Sequence, residues 1–109
     1  MNYPRVGIGV LIFNEHNQVL LGKRIGSHGL HTWGPPGGHL EFGEAFEECA
    51  MRETKEETGL DISQPQLIGF TNDIFEDEDK HYVSVFLKAS SPPHQQVSNC
   101  EPHKILEWG

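Results

Sequence analysis

The sequence predicts an α+β fold in which a mixed or antiparallel β-sheet packs with a helix. Alternating apolar residues at 5–13, a helical pattern at 43–59 and further strand patterns at 66–75 and 81–89 support this class. The order of these elements is strands, helix, strands, which is typical of α+β proteins. The 109 residues are enough for one hydrophobic core, and we expect a single domain over 1–109.

The residues before the helix predict two strands and a long loop. In "RVGIGVLIF" (5–13) both alternating faces are apolar, which indicates a central strand. The turn-forming "NEHNQ" (14–18) leads into "QVLLGKR" (18–24), a second strand that we expect to form a hairpin with the first. The glycine- and proline-rich "GSHGLHTWGPPGG" (26–38) is too irregular for either period and predicts a loop.

The helix is predicted over 43–59, "GEAFEECAMRETKEETG". Acidic residues fill its first turn, where the helix dipole favours them, and Gly59 stands where a left-handed residue ends many helices. The pattern then predicts a strand at 66–75, a charged turn at 76–80, a strand at 81–89, a loop at 90–102 and the start of a further strand at 104–109.

The composition limits the partners. The formal net charge is −8 and there is no dense cluster of Lys or Arg, so we expect neither a nucleic acid polymer nor a membrane surface as a partner. No apolar run approaches the roughly 20 residues that span a bilayer, and the N-terminus lacks the pattern of a secretory signal. Two cysteines are too few for a disulfide framework, so we expect a cytoplasmic protein. An anionic ligand would need a divalent cation as mediator.

Three carboxylates are concentrated in "RETKEETG" (52–59), at Glu53, Glu56 and Glu57. With roughly 100° of rotation per residue, they continue the helix stripe that begins with the apolar side chains of Phe46, Cys49 and Ala50. The outer face is then left to the remaining polar residues Glu47, Glu48, Lys55 and Thr58. Inward carboxylates are destabilising unless they are neutralised, and clustered oxygen ligands suit Mg²⁺, Mn²⁺ or Ca²⁺. A hydrated acidic surface at the domain edge is the open alternative.

Residues 38–60 resemble the Nudix box, G-x₅-E-x₇-R-E-U-x-E-E-x-G-U, where U is aliphatic. The matching residues are Gly38, Glu44, Arg52, Glu53, Glu56, Glu57, Gly59 and Leu60. Thr54 stands where an aliphatic residue is usual, although its methyl group can pack in the same way. The segments "VLLGKR" and "EPHKILEW" are also similar to parts of MutT-like nucleoside triphosphate pyrophosphohydrolases.

The resemblance implies the Nudix fold, an α/β/α sandwich around a mixed sheet with the box as loop–helix–loop. The family's C-terminal helix has no counterpart in the 109 residues. Without it, a sheet face would be exposed to solvent, and we therefore expect either a homodimer or low stability.

The resemblance also assigns roles to single residues. It implies Mg²⁺, with Mn²⁺ as the alternative, held by Glu53, Glu56, Glu57 and the Gly38 carbonyl. One of Glu53, Glu56 and Glu57 would be the general base, and Glu53 is the expected one. Glu57 would also be catalytic, and Arg52 would orient a catalytic glutamate. Glu44 would support the box. Lys23, Arg24 and Gly37 are the expected contacts to the substrate phosphates.

The implied reaction is hydrolysis of a pyrophosphate bond in a nucleoside diphosphate linked to another group. The family's markers for ADP-ribose and dinucleoside polyphosphate hydrolases are absent: Phe75 occupies the first marker position, and acidic residues lie near the second. A nucleoside triphosphate, including an oxidised deoxynucleotide, is the remaining expectation. The alternative is a module that binds nucleotide or metal with little or no turnover.

Overall fold

The computed structural model describes residues 3–25 and 33–109. Its elements are β1 (Arg5–Phe13), β2 (Gly22–Arg24), β3 (Trp33–Gly34), β4 (Gly37–His39), α1 (Phe46–Thr58), β5 (Gln66–Phe75), a 3₁₀ turn (Glu76–Glu78), β6 (Lys80–Ser90) and β7 (Ile105–Trp108). Within these residues, no helix combines the length and the apolar composition needed to cross a membrane.

The main sheet is four-stranded and mixed, in the order β4-β1-β6-β5. β1 pairs in parallel with β6, whereas the β1–β4 and β5–β6 pairs are antiparallel. This arrangement confirms the α+β class and the central position predicted for β1. One face of β1 carries Ile8, Val10 and Ile12, which are at most 4% exposed. This face packs against the helix side of the core.

A second, three-stranded sheet has the order β3-β2-β7. The predicted hairpin between β1 and residues 18–24 is therefore wrong for most of its length. Only a bridge between Phe13 and Val19, and the N–H of Leu20 donating to the Ile12 carbonyl at 3.0 Å, join the two segments. The chain then leaves β1, because the backbone of Leu21 forms its hydrogen bonds with Gly109 instead.

The structure describes only part of the segment 26–38, which was predicted to be a loop. Residues 26–32 lie outside the described residues. The rest contains β3 and β4, so an irregular loop was the wrong prediction there. Gly37 explains the difference, since a Cβ at this position would collide with the Ile8 carbonyl and only glycine allows this strand to approach β1 so closely.

The helix begins later than predicted and ends where expected. Ala45 has an extended backbone, and its N–H donates to the Glu48 carboxylate at 2.8 Å, so α1 starts at Phe46 and not at 43. Gly59 has φ +78° and donates its N–H to the Lys55 carbonyl, which confirms it as the end of the helix.

The buried face of α1 is rotated from the one predicted. Thr58 was expected on the outer face, yet both Thr54 and Thr58 are 0% exposed and pack with the core. The small side chains on this side let the helix approach β1 and β4 closely. This rotation leaves Glu57 buried, with 7% exposure, whereas the Glu56 side chain is 52% exposed.

Among the described residues α1 is the single α-helix, so the helical layer covers one face of the main sheet rather than both as the sandwich implied. The predicted strands at 66–75 and 81–89 are confirmed as β5 and β6. The strand expected to begin near 104 is β7. β5 is an edge strand whose apolar side chains remain exposed, among them Leu67, Phe70 and Ile74.

Thr54 and Thr58 provide a matched test of this packing. The buried Thr54 hydroxyl has no hydrogen-bond partner in the described part of the chain, whereas the Thr58 hydroxyl donates to the Thr54 carbonyl and accepts from the Leu60 N–H. Thr54→Val should raise the free energy of unfolding by about 1 kcal/mol, and Thr58→Val should lower it by a similar amount. Urea titration measures both. Equal effects of the two variants would contradict this packing.

Candidate functional site

The Arg52 guanidinium joins the loop before α1 to the helix. It contacts both carboxylate oxygens of Glu44, at 2.7 and 3.1 Å, and donates to Glu53 at 2.7 Å. The Nη2 nitrogen that contacts Glu44 also donates to the His39 carbonyl at 3.3 Å, and a Glu56 oxygen lies 3.4 Å from Nη1. A single side chain thus fixes the loop and orients two of the acidic residues.

The pairing between Arg52 and Glu44 keeps both groups ionised. The two side chains are 27% and 12% exposed. The hydrogen bonds from Arg52 lower the pKa of Glu44 to about 2, and a hydrogen bond from the Glu41 N–H acts in the same direction. The pKa of Arg52 is raised further above its ordinary value, first by its hydrogen bond to Glu44. These contacts support the predicted role of Glu44 in holding the box together.

Glu57 is the most buried carboxylate of the site. One of its oxygens accepts a hydrogen bond from the Gly37 N–H at 3.1 Å. Burial raises the pKa of Glu57 to about 7, and repulsion from Glu53 and Glu101 acts in the same direction, although the Gly37 hydrogen bond opposes the rise. The site therefore has more negative charge than its own basic groups compensate.

Glu53 lies directly against the backbone of Gly38. A Cβ at Gly38 would fall within 2.6 Å of the Glu53 carboxylate, so a side chain at this position would displace that carboxylate. The Glu53 side chain is 13% exposed, and burial raises its pKa, while Arg52 acts in the opposite direction. The two predicted glycines and the buried glutamates are thus brought together at one place.

The predicted phosphate-binding side chains, Lys23 and Arg24, are carried by the second sheet, whereas β4 beside this cluster belongs to the main sheet. Lys23 is half-buried and Arg24 is exposed, both on β2 in the second sheet. In the described ranges, no ion pair links either residue to the box glutamates. The Arg24 guanidinium lies over Gly34, where a Cβ would be 3.0 Å from its Nε.

Two further charged residues, which the sequence analysis did not identify, lie beside the cluster. One Glu101 oxygen is buried and has no hydrogen-bond partner among the described residues, and the other lies 3.4 Å from the Lys104 ammonium. Lys104 in turn lowers the pKa of Glu53 and Glu57. Both residues belong to the "EPHKILEW" segment, whose similarity to MutT-like proteins was noted from the sequence. No local pattern predicts that this segment lies next to the helix.

The donor set suits a divalent cation of the Mg²⁺ type. Its donors are carboxylate oxygens, they repel one another, and the buried Glu101 oxygen has no partner among the described residues. In residues 3–25 and 33–109, no three acidic, histidine or cysteine side chains are grouped closely enough to enclose an ion. Glu53 points instead to Arg52 and Glu57 to the Gly37 N–H. A bound cation would therefore require these carboxylates to turn.

An aromatic surface continues from the site across the outer face of the main sheet. The rings of His39 and Tyr82 stack with their centroids 5.7 Å apart and an interplanar angle of 10°. Two clefts of about 590 and 520 Å³ meet at Arg5, one bordered by Tyr82 and the other by His39. Burial, and then the nearby charges of Arg5 and Lys104, lower the pKa of His39, which favours the neutral ring. A planar ligand group can therefore stack on two uncharged rings here, with Arg5 at the border of both clefts.

The sequence matches a known domain model and one characterised class of relatives. The NUDIX domain model matches residues 3–109. The m7GpppN-mRNA hydrolase NUDT17 of Xenopus laevis is 33% identical over 103 residues, which cover 84% of this chain and 35% of that protein. The chain thus spans about a third of the length of this curated relative.

Solved structures agree with the fold. The crystal structure of the MutT NUDIX hydrolase from Burkholderia pseudomallei is 28% identical, with a TM-score of 0.92, and the match covers 99% of this chain and 82% of that one. The NUDIX domain of Shewanella oneidensis NrtR, solved as a complex with ADP ribose, is 20% identical with a TM-score of 0.81. That match covers 100% of this chain and 73% of the other, and at this identity it bears on the fold alone.

The buried Glu57 makes the stability of the metal-free protein depend on pH. Its pKa rises from 4.5 in the unfolded chain to about 7 in the folded chain, so the folded state loses stability as the pH increases through this window. The glutamine in Glu57→Gln cannot ionise, so the variant should not lose stability over this pH window. In the presence of a chelator at pH 8, its free energy of unfolding should exceed that of the wild type by about 2 kcal/mol, and the gap should nearly close at pH 4.

The control is Glu47→Gln, which neutralises an exposed carboxylate on the same helix. Urea titrations at both pH values should show no comparable pH-dependent gain for it. A gain for Glu57→Gln that was the same at pH 4 and pH 8 would contradict the buried ionisation.

Proposed function

Because this chain belongs to the Nudix hydrolase family, we propose that it hydrolyses a pyrophosphate bond in a nucleotide. The proposed substrate is a nucleoside triphosphate, including one with an oxidised base, which is cleaved to a monophosphate and pyrophosphate. The observation that carries this proposal is the position of two carboxylates against consecutive glycines: Glu53, which Arg52 contacts, lies beside Gly38, and the buried Glu57 accepts a hydrogen bond from the Gly37 N–H.

Glu53, Glu56, Glu57 and Glu101, with the Gly38 carbonyl, would hold Mg²⁺ or Mn²⁺. When bound, such ions neutralise phosphate oxygens and lower the pKa of the attacking water. Mg²⁺ usually keeps several waters and binds through few carboxylates, so the exposed Glu56 can complete the site from its edge.

The protein's own groups position the nucleophile and the phosphates. Arg52 donates to one oxygen of Glu53 at 2.7 Å, and within residues 3–25 and 33–109 the other oxygen has no hydrogen bond, so it can accept a proton from water. We therefore assign Glu53 as general base. Glu57, which lies beside the Gly37 N–H, supplies buried negative charge that attracts the cation, and its carboxylate would turn to bind it.

Lys23, Arg24 and Gly37 are proposed to contact the phosphates. The end of β2 lies near the site, because the N–H of Ile25 donates to the Lys104 carbonyl at 2.9 Å. The base would stack on His39 and Tyr82, whose rings lie on the sheet face next to the box. A nucleotide could thus extend from the glutamates onto the sheet.

An mRNA cap structure is a second candidate substrate. The Xenopus relative is named as a hydrolase of m7GpppN-mRNA, and its substrate contains the same kind of phosphate linkage. The net charge of −8 opposes binding of a long RNA chain, so we propose a cap dinucleotide rather than an intact transcript.

We also propose a cytoplasmic location. Both cysteines are free thiols, and Cys100 is exposed. An exposed thiol persists in a reducing compartment, where nucleotide substrates are also present.

The function is tested by Mg²⁺-dependent release of pyrophosphate from normal and oxidised deoxynucleoside triphosphates, with m7GpppG as an additional substrate. The wild type should hydrolyse at least one of them. Glu53→Gln and Glu57→Gln should each reduce kcat by about 10² to 10⁴, because each removes a carboxylate from the reacting site.

Glu47→Gln is the matched control, since it makes the same chemical change on the outer side of α1 and should retain full activity. Hydrolysis that survives in Glu57→Gln would overturn the assignment. A folded wild type that binds Mg²⁺ and nucleotide without turnover would instead support a binding module.

We further propose that the protein forms a homodimer through the exposed edge of β5. Phe70 and Ile74 are 74% and 60% exposed on this strand, and an unpaired apolar edge favours association. Sedimentation should show a dimer that Phe70→Asp converts to a monomer.

Phe42→Asp is the control because Phe42 is fully exposed in the box loop, away from β5. A monomeric wild type would contradict this proposal.

A further inference from the structure

Lys104 is held beside the carboxylate cluster by the backbone around it. The N–H groups of Ser98 and Cys100 donate to the carbonyls of Thr58 and Glu57, at 2.9 and 3.2 Å, and so fix this segment to the end of α1. The Lys104 N–H donates to the Glu101 carbonyl at 2.9 Å, and its own carbonyl accepts from Ile25. Its backbone is therefore anchored to the helix on one side and to β2 on the other.

The Lys104 ammonium has a partner and room to move. It lies 3.4 Å from a Glu101 oxygen, and its side chain is 59% exposed. Its charge acts on Glu53 and Glu57, and also on His39 at the edge of the aromatic surface. The ammonium is joined to the acidic cluster through Glu101, whose neighbour Cys100 is hydrogen-bonded to the Glu57 carbonyl. The phosphates of a nucleotide held at this cluster would come within reach of the long Lys104 side chain.

Lys55 is a useful contrast on the same helix. Its ammonium donates to the Asp61 carboxylate at 3.0 Å and to the Gly59 carbonyl at 3.3 Å, at the outer end of α1. These contacts satisfy a helix terminus and involve none of the buried glutamates.

We propose that Lys104 is a phosphate-positioning residue that also partly neutralises the carboxylate cluster when no cation is bound. This inference rests on the proposed function. A divalent cation among the glutamates would repel the ammonium, because both are positive and close to the same oxygens. The long, exposed side chain would then turn to the phosphate chain, which is the remaining source of negative charge at the site.

The test uses Lys104→Met, which keeps the length of the side chain without its charge, Lys104→Arg, which keeps a charge, and Lys55→Met as the matched control. Calorimetric titration with Mn²⁺ in the absence of nucleotide should show binding that is roughly threefold to tenfold tighter for Lys104→Met, since a competing cation is gone. In the presence of Mg²⁺, the same variant should bind a non-hydrolysable α,β-methylene deoxynucleoside triphosphate about tenfold more weakly.

The opposite signs of these two effects separate a charge role from a structural one. A structural defect would weaken both binding reactions, and that result would overturn the inference, as would two unchanged affinities. Lys104→Arg should restore nucleotide binding to within about threefold of the wild type. Lys55→Met should change neither affinity.

The outcome is also distinguishable from failure of the proposed function. Both shifts observed in a protein that hydrolyses none of the substrates would support the role of Lys104 and overturn the hydrolase. A wild type that binds Mn²⁺ but no triphosphate analogue would overturn the phosphate contact itself.

Discussion

The bidentate contact between Arg52 and Glu44 is the interaction on which the rest of the site depends. It ties the loop that follows β4 to the middle of α1, and the same guanidinium then orients Glu53. Without this contact, nothing at Arg52 would fix the loop relative to Glu53. Because both Glu44 oxygens pair with the guanidinium, the charge of Arg52 is largely balanced by Glu44 and compensates the other acidic groups less. The local excess of negative charge is thus a direct result of how the loop is held.

Glycine makes this arrangement sterically possible. β4 can lie against β1 only because Gly37 has no Cβ to collide with the Ile8 carbonyl, and Glu53 occupies the space beside Gly38 that a side chain would fill. Two consecutive glycines therefore serve different neighbours, one in the sheet and the other in the helix. The stability of the main sheet and the position of the site's carboxylates are therefore coupled at two adjacent residues.

The sequence predicted the parts of the structure that depend on local periodicity and on motif spacing. β1, β5 and the end of α1 at Gly59 followed from alternation and from one turn-forming residue. The second sheet, the burial of Thr58 and the approach of Glu101 did not. Each of these depends on which distant segments meet, and strand pairing such as that of β2 with β7 leaves no mark in a short stretch of residues. The resemblance to the Nudix box assigned the glutamates but not the segment that packs next to them.

The parallel pairing of β1 with β6 also affects how such a chain is made. Arg5 lies opposite Tyr82 and Phe13 opposite Ser90. β1 can therefore pair with β6 only after residues 80–90 have been synthesised. A loop of this length is slow to close, because its ends must find each other across a large conformational space. β4 pairs with β1 over three residue pairs, so most of this apolar strand acquires a partner late in folding.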